Sequence, residues 1–403
     1  MHEKEETMIE FKQVVDVIDK PISGEWGAGV GAVRVLRTTN FKNSGELDFS
    51  NLVYRDIQSE KVIKKALIPG DTIIEKSGGS PTQPVGRVVY FDAAGTFMCN
   101  NFTSILRPKL HLVHPRFFFW FMFFNYTNSR TLPFQNRTTG IINLKLDNYL
   151  KSLQIPLPPL ETQRAIAAKL DAADRLRQLD QQLLTKCDEL AQAIFIDMFG
   201  DPVKNEKGWE VKELGELALP EKNSIKAGPF GSSLKKEFYV DSGYKIYGQE
   251  QVIADDLKCG NYYIDEERYN SLKSCAIKEG DLLISLVGTY GKISVVPSVF
   301  EQGIINPRLM KISLNNKISA PRFYKFLLQS EEMKTEISRF SRGGTMDIVN
   351  VGIMSKIRVI VPPLSHQTVF LEKIAFIEEL KLNVKRIRTY ELFDSMLKEV
   401  FKA

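Results

Sequence analysis

The chain is one unit written twice, and this constrains its fold more than any other feature. Ile155-Pro156-Leu157-Pro158-Pro159-Leu160-Glu161-Thr162-Gln163 returns as Val359-Ile360-Val361-Pro362-Pro363-Leu364-Ser365-His366-Gln367. Pro115-Arg116-Phe117 returns as Pro321-Arg322-Phe323, Gly70-Asp71 as Gly280-Asp281, and Gly140 before Ile141-Ile142 as Gly344 before Thr345-Met346. The period is roughly two hundred residues, which implies two similar globular units and two similar sites related by a pseudo-dyad; the competing reading is a duplication that only builds a stable scaffold. Glu10 matches Glu210, so the 403 residues make almost two whole periods. The two ends are therefore expected to lie close in space.

Two long helices are predicted, each opening at a Pro-Pro pair and running about forty residues, a rod of roughly 60 Å. In the first, Ile166, Leu170, Ala173, Leu176, Leu179, Leu183, Cys187, Leu190 and Ile194 recur every three or four positions. In the second, Phe370, Ile374, Ile377, Leu380, Val384, Ile387, Tyr390, Phe393 and Leu397 do the same. That spacing makes an apolar seam, and each helix is the natural partner of the other. Pro159 and Pro363 stand where a missing N–H costs least, and Gly200 with Pro202 ends the first helix. The expected architecture is α+β: two mixed α/β domains separated by two long antiparallel coiled-coil helices with a pseudo-twofold internal repeat. The boundaries are 1–156 and 201–360 for the globular domains, 157–200 and 361–403 for the helices.

Within the globular units, Val33–Leu36, Asp71–Ile74, Arg87–Phe91, Asp281–Leu286 and Lys292–Val296 read as strands. Phe117–Asn125 reads as a buried helix, core rather than a platform for stacking. Its apolar run is far short of the ~20 residues a bilayer span needs. The N-terminus has no apolar segment of the signal-peptide kind. Cys99, Cys187, Cys259 and Cys275 form no C-x-x-C pair, and His2, His111, His114 and His366 have no metal-ligand spacing. A reducing, cytoplasmic setting fits. Gly288-Thr289-Tyr290-Gly291-Lys292 lacks the spacing of a P-loop, and Gly27-Ala28-Gly29-Val30-Gly31 neither follows a strand nor opens a helix. No G-x-S-x-G elbow is present. These absences favour a binding protein over an enzyme, and the net charge of +5 leans towards an anionic partner.

Three blocks carry a family resemblance: Pro156–Gln163 with its variant at 360–367; Ile194-Phe195 and Met198-Phe199-Gly200-Asp201-Pro202 followed by Trp209 and Leu214-Gly215; and Gly228-Pro229-Phe230-Gly231-Ser232-Ser233-Leu234-Lys235. Together they resemble the specificity subunit of a type I restriction–modification system, over nearly the whole chain. In the first half Ile22-Ser23-Gly24-Glu25-Trp26-Gly27 stands in place of the third block, so the two halves are expected to read different sequences. The resemblance implies a non-catalytic subunit with two target-recognition domains, each binding one half of a bipartite site on double-stranded DNA. It implies helices that set the spacer and dock two methyltransferase (modification) subunits, with restriction subunits in the full complex. S-adenosylmethionine, ATP and Mg are then expected in those partners, and no cofactor or metal in this chain.

DNA readout needs cations for phosphates, and amides, guanidiniums or hydroxyls for base edges. Two loop groups in each unit supply both. One lies between paired strands: Lys76, Ser77, Ser80, Thr82, Gln83 and Arg87 in the first unit, Ser285, Thr289, Tyr290 and Lys292 in the second. The other precedes the final strand: Arg130, Gln135, Asn136, Arg137 and Thr138 in the first, Arg339, Ser341, Arg342 and Thr345 in the second. Ser232, Ser233, Lys235 and Lys236 form a further turn. A stand-alone duplicated DNA-binding protein, or a nuclease marked by an acidic metal cluster, are the competing readings.

Overall fold

A computed structural model describes residues 10–80, 82–138, 141–286, 291–341 and 350–401. The chain forms two compact units. One comprises residues up to Gln182 together with those from Ile387 onwards; the other is Leu183–Arg386. One boundary thus falls inside the helix Leu160–Phe199 and the other at the break between the helices Leu364–Arg386 and Thr389–Phe401.

The repeat is explicit in the sheets. The first unit has a four-stranded antiparallel sheet in the order Ile22–Ser23, Thr103–Leu106, Thr72–Glu75, Val88–Tyr90. The second has Ile225–Ala227, Leu309–Ile312, Leu282–Ser285, Ile293–Val295 in the same order. Each unit adds a three-stranded sheet with one parallel pair: Ala28–Leu36 beside Phe97–Cys99, and Tyr244–Tyr247 beside Gly303–Ile305. Each is closed by a short antiparallel pair, Glu10–Gln13 with Gln154–Leu157 and Val211–Glu213 with Arg358–Ile360. Glu10 faces Leu157, and Glu210 accepts a hydrogen bond from Val361 N–H, so the expected match of Glu10 with Glu210 holds.

The apolar run forms the helix Pro115–Thr127, buried from Phe117 to Asn125, and Pro321–Leu328 is its counterpart. The motif that ends in Gln163 and Gln367 explains how these helices are held. Gln163 Nε2 donates to the carbonyls of Leu112 (3.2 Å) and Pro158 (2.8 Å), and its Oε1 accepts His114 N–H (2.8 Å). Gln367 Nε2 donates to Ile318 (2.9 Å) and Pro362 (2.8 Å), and its Oε1 accepts Ala320 N–H (2.8 Å). His114 and Ala320 immediately precede the aromatic helices. A buried glutamine in each unit therefore staples the start of a long helix to the start of an aromatic one, satisfying backbone groups that burial would otherwise orphan.

The first long helix is Leu160–Phe199 and is continuous. The second, expected as one piece, is two: Leu364–Arg386 and Thr389–Phe401, with Arg388 in the left-handed region at φ 54°. In the first unit the Leu160 end runs antiparallel to Thr389–Phe401. Asp180 accepts from Thr389 Oγ1 (2.7 Å), Gln181 from Tyr390 OH (2.9 Å), and Arg177 lies over the Phe393 ring (4.9 Å). In the second unit the Phe199 end runs antiparallel to Leu364–Arg386. Phe195 and Phe199 each lie 5.6 Å from Phe370, and Lys381 pairs with Asp188. Phe401 packs on Phe117 (5.2 Å) as its repeat counterpart Phe195 packs on Phe323 (5.9 Å). The expected closeness of the extreme termini falls outside the described residues. No helix among the described residues is long and apolar enough to cross a membrane.

Candidate nucleic-acid interface

In the first unit the two predicted loop groups meet. Gln135–Thr138 pairs with Ile141–Leu144, which pairs in turn with Ser77–Gly78. The register sets Asn136 opposite Asn143 and Asn143 opposite Ser77. Ser77 Oγ donates to Asn143 Oδ1 (2.7 Å), and Leu144 N–H donates to the Lys76 carbonyl (2.8 Å). Gln135 Nε2 reaches the Val85 carbonyl (3.2 Å), tying the hairpin back to the first loop. Ser80 Oγ lies 3.1 Å from Thr82 Oγ1, and Gln83 Nε2 donates to Asn43 Oδ1 (2.8 Å). Thr82, Arg130 and Asn136 are exposed. The Arg130 guanidinium lies 6.0 Å from the Phe124 ring. Arg137 and Thr138 lie in the hairpin strand opposite Ile142 and Ile141. Asn143 belongs with this group and was missed by the loop argument. Its signal is a polar residue within the strand Ile141-Ile142-Asn143-Leu144, at a position that the register places between two polar partners.

Lys76 is half-buried, with Nζ donating to Ser23 Oγ, and burial pulls its pKa below the ordinary lysine value. Close by, burial pushes the Cys99 thiol up to about 11. Glu25 lies between Lys65 (2.8 Å) and Lys61 (3.1 Å), and their hydrogen bonds hold its carboxyl below the usual carboxylate range. Arg55 lies over the Trp26 ring at 4.0 Å.

Two predicted site residues are committed inside the fold. Arg87 is buried: Nε donates to Glu75 (2.8 Å), Nη1 to the Phe41 carbonyl (3.2 Å) and Nη2 to the Thr38 carbonyl (3.1 Å). A guanidinium so engaged is a structural cation, not a surface one. Ser285 is also buried, and its Oγ accepts from Gln249 Nε2 (2.7 Å). Lys292 is exposed, on the rim of a wide groove of about 1400 Å³ in the second unit. Arg339 is exposed and pairs with Glu336 (3.0 Å) on the helix Glu331–Ser341, which Ser341 ends. Thr289, Tyr290, Arg342 and Thr345 lie outside the described residues. Ser232, Lys235 and Lys236 are exposed and Ser233 is half-buried, on two consecutive single turns; Lys235 Nζ lies 3.4 Å from Glu237.

The scaffold is built twice among the described residues, and comparison with known proteins places it in a family. The model of the type I restriction modification DNA specificity domain matches residues 28–187 and again 206–387. The chain belongs to that family and carries its domain in both halves. It is 23% identical over 390 residues to a Methanocaldococcus jannaschii protein named as the MjaX type I restriction enzyme specificity subunit, covering 94% of this chain and 87% of that one. It is 21% identical over 438 aligned positions to the HindI specificity subunit of Haemophilus influenzae, covering 89% and 92%. The fold matches the S subunit of a type I restriction–modification system from M. genitalium with a TM-score of 0.58 and 16% identity, covering 100% of this chain and 98% of that one.

Proposed function

We propose that this chain is the DNA sequence-specificity subunit of a type I restriction–modification complex. Each unit reads one half of a bipartite double-stranded site, and the long helices set the spacer. Those helices also dock two methyltransferase subunits, and restriction subunits complete the assembly in the cytoplasm. The chain contributes recognition and no catalytic residue; S-adenosylmethionine, ATP and Mg act in the partners. The observation that carries this reading is the family domain occurring twice, each copy with its own sheets and polar turns on a repeated scaffold. In the first unit the reading surface is the Gln135–Leu144 hairpin with Lys76, Ser77 and Asn143, which offers amides and a hydroxyl for base edges. Arg130 and Lys76 supply the positive charge for phosphates. In the second unit the described candidates are Lys292, Arg339 and the Ser232–Lys236 turns.

The test is co-expression with the modification subunits of its system, followed by genome-wide mapping of N6-methyladenine. A bipartite motif with one methylated adenine in each half and a fixed unspecified spacer is expected. DNA binding without recruitment of methyltransferase would instead mark a stand-alone DNA-binding protein, and a single contiguous methylated motif would overturn the bipartite reading. Metal-dependent cleavage by the purified chain alone would mark a nuclease.

A further inference from the structure

One turn is built at the same place in both units and ends in an aromatic ring. Gly228-Pro229-Phe230-Gly231 corresponds to Gly24-Glu25-Trp26-Gly27, so a Gly-x-aromatic-Gly frame survives although the rest of the block differs. Each frame is locked against the same strand. Gly228 N–H donates to the Leu309 carbonyl (2.9 Å), and Gly24 N–H to that of Thr103 (3.1 Å). A Cβ on Gly228 would fall 1.9 Å from the Asn306 carbonyl oxygen, and one on Gly24 would fall 2.0 Å from that of Asn100. Only glycine fits either crossing.

The rings are presented differently. Trp26 packs against Val35, Ile57 and Met98, and Arg55 roofs it. Phe230 is 87% exposed. Its turn is nonetheless fixed: Ser233 N–H donates to the Phe230 carbonyl (2.8 Å), and the next residue, Leu234, is buried in the core beneath. A lone exposed aromatic is ordinary on a protein surface. One carried on a hydrogen-bonded backbone turn, in a frame made twice and followed by Ser232, Ser233, Lys235 and Lys236, is set out for a ligand. Shortly after it in the chain come Phe238, with the Arg268 guanidinium 3.7 Å from its ring, and Tyr239, 5.5 Å from the half-exposed Tyr262. Hydroxyls and ammoniums suit phosphates, and an apolar ring between them suits a base.

We propose that Phe230 is the apolar base contact of the second recognition unit: its ring packs on a base of that half-site. Either a thymine methyl in the major groove or the face of an opened base step presents the required surface. In the first unit the Trp26 ring is half-buried and covered by the Arg55 guanidinium, 4.0 Å from its centroid, so the same frame presents no free ring there. This inference rests on the specificity-subunit reading above.

The experiment uses the complex of this chain with its modification subunits and a duplex carrying the motif mapped for the wild type. Phe230→Ala should weaken binding about ten- to hundredfold, the effect of exposing a phenylalanine that was buried on binding. Phe230→Leu should recover part of the loss. Subunit stoichiometry and thermal stability should not change, because the ring is 87% exposed. Replacing single thymines by deoxyuridine separates the two sources. A methyl contact appears as one position where the uracil duplex loses affinity with wild type but not with Phe230→Ala. An opened step appears as 2-aminopurine fluorescence that rises on binding wild type but not the variant. Wild-type affinity and an unchanged motif with Phe230→Ala would overturn the proposal. So would loss of the modification subunits, which would place Phe230 at a protein interface. If the wild-type complex yields no bipartite motif, the specificity-subunit reading itself has failed; a normal motif with an inert Phe230 defeats this inference alone.

Discussion

At one matching position the two units make opposite use of a cation. Glu75 N–H donates to the Arg87 carbonyl (2.9 Å), and Ser285 N–H donates to the Lys292 carbonyl (3.0 Å), so Glu75 corresponds to Ser285 and Arg87 to Lys292. In the first unit the carboxylate takes the guanidinium into the interior. In the second a serine stands opposite, and the lysine extends to the surface. The residue across the hairpin decides whether a flanking cation is structural or available to a ligand. Sequence position alone makes Arg87 and Lys292 look equivalent.

The largest effect should come from breaking the locked pair. Arg87→Ala leaves Glu75 buried without its partner and should cost about 3–5 kcal/mol of stability, read by urea unfolding. A loss below about 1 kcal/mol would mean that the pair is not what holds that hairpin. The complementary variant, Glu75→Ser, copies the second unit's arrangement but strands Arg87, so it should be comparably damaging.

The glutamine staple sharpens the opposite side of the comparison, where the units agree. Gln163→Ala and Gln367→Ala each remove three hydrogen bonds made by a buried amide and should each cost about 2–4 kcal/mol, since the half-buried backbone groups they satisfied lose their partner. The check is denaturation of both variants under one set of conditions. Markedly unequal losses would show that the repeat conserves the contacts but not their weight.

Much of this was legible in the sequence, for a physical reason. A repeated motif fixes equivalent positions, so the paired strands at Thr72–Glu75 and Leu282–Ser285, both aromatic helices and the long helices are all expected and found. The helix seam was legible in part. Leu170, Ala173 and Cys187 are buried, as are Phe370, Ile374, Ile377, Val384, Phe393 and Leu397. Leu176, Leu179, Leu183 and Leu190 are about half exposed (47–52%), while Ala191, Phe195 and Phe199 are buried instead. A periodic pattern says which residues share a face, not which face finds a partner, and a straight helix drifts ~20° per heptad from a strict seam. The first long helix also changes partners between units, so its buried face need not be continuous. The break at Arg388 carries no glycine or proline to announce it. Beyond it, Phe393, Leu397 and Phe401 recur every four residues and meet the aromatic helix at Trp120 and Phe117. At the interface, burial of Arg87 and Ser285 depends on tertiary partners, whereas the convergence of Ser77 with the Gln135–Leu144 hairpin depends on a pairing between segments some sixty residues apart (Ser77 with Asn143).

A smaller effect should follow from the exposed member of the pair. Lys292→Ala should leave stability within about 0.5 kcal/mol. In the complex it should lower the slope of log affinity against log salt by about 0.9, one phosphate contact. Arg339→Ala should act the same way if its ion pair with Glu336 yields to a phosphate. An unchanged slope for Lys292→Ala would mean that the groove it borders turns away from DNA, and the contrast with Arg87 would then be structural only.

The smallest effect concerns pH and exists in one unit only. His114 gives its N–H to Gln163, and Ala320 holds the same place before Gln367. Burial, with Arg164 nearby, lowers the His114 pKa below its ordinary value. The folded state therefore favours the neutral ring, while the unfolded chain takes up a proton near pH 6.5. Between the lowered pKa and about 6.5 the unfolded state binds more protons, so stability falls as pH drops through that window and is unaffected above it. His114→Ala copies the second unit, keeps the backbone donor and removes the titrating ring. Its stability should fall less than that of the wild type between pH 7.5 and pH 5.5, measured by parallel urea titrations. Identical pH dependence in the two proteins would show that the imidazole is as well solvated in the folded chain as in the unfolded one, and that the units do not differ in this respect.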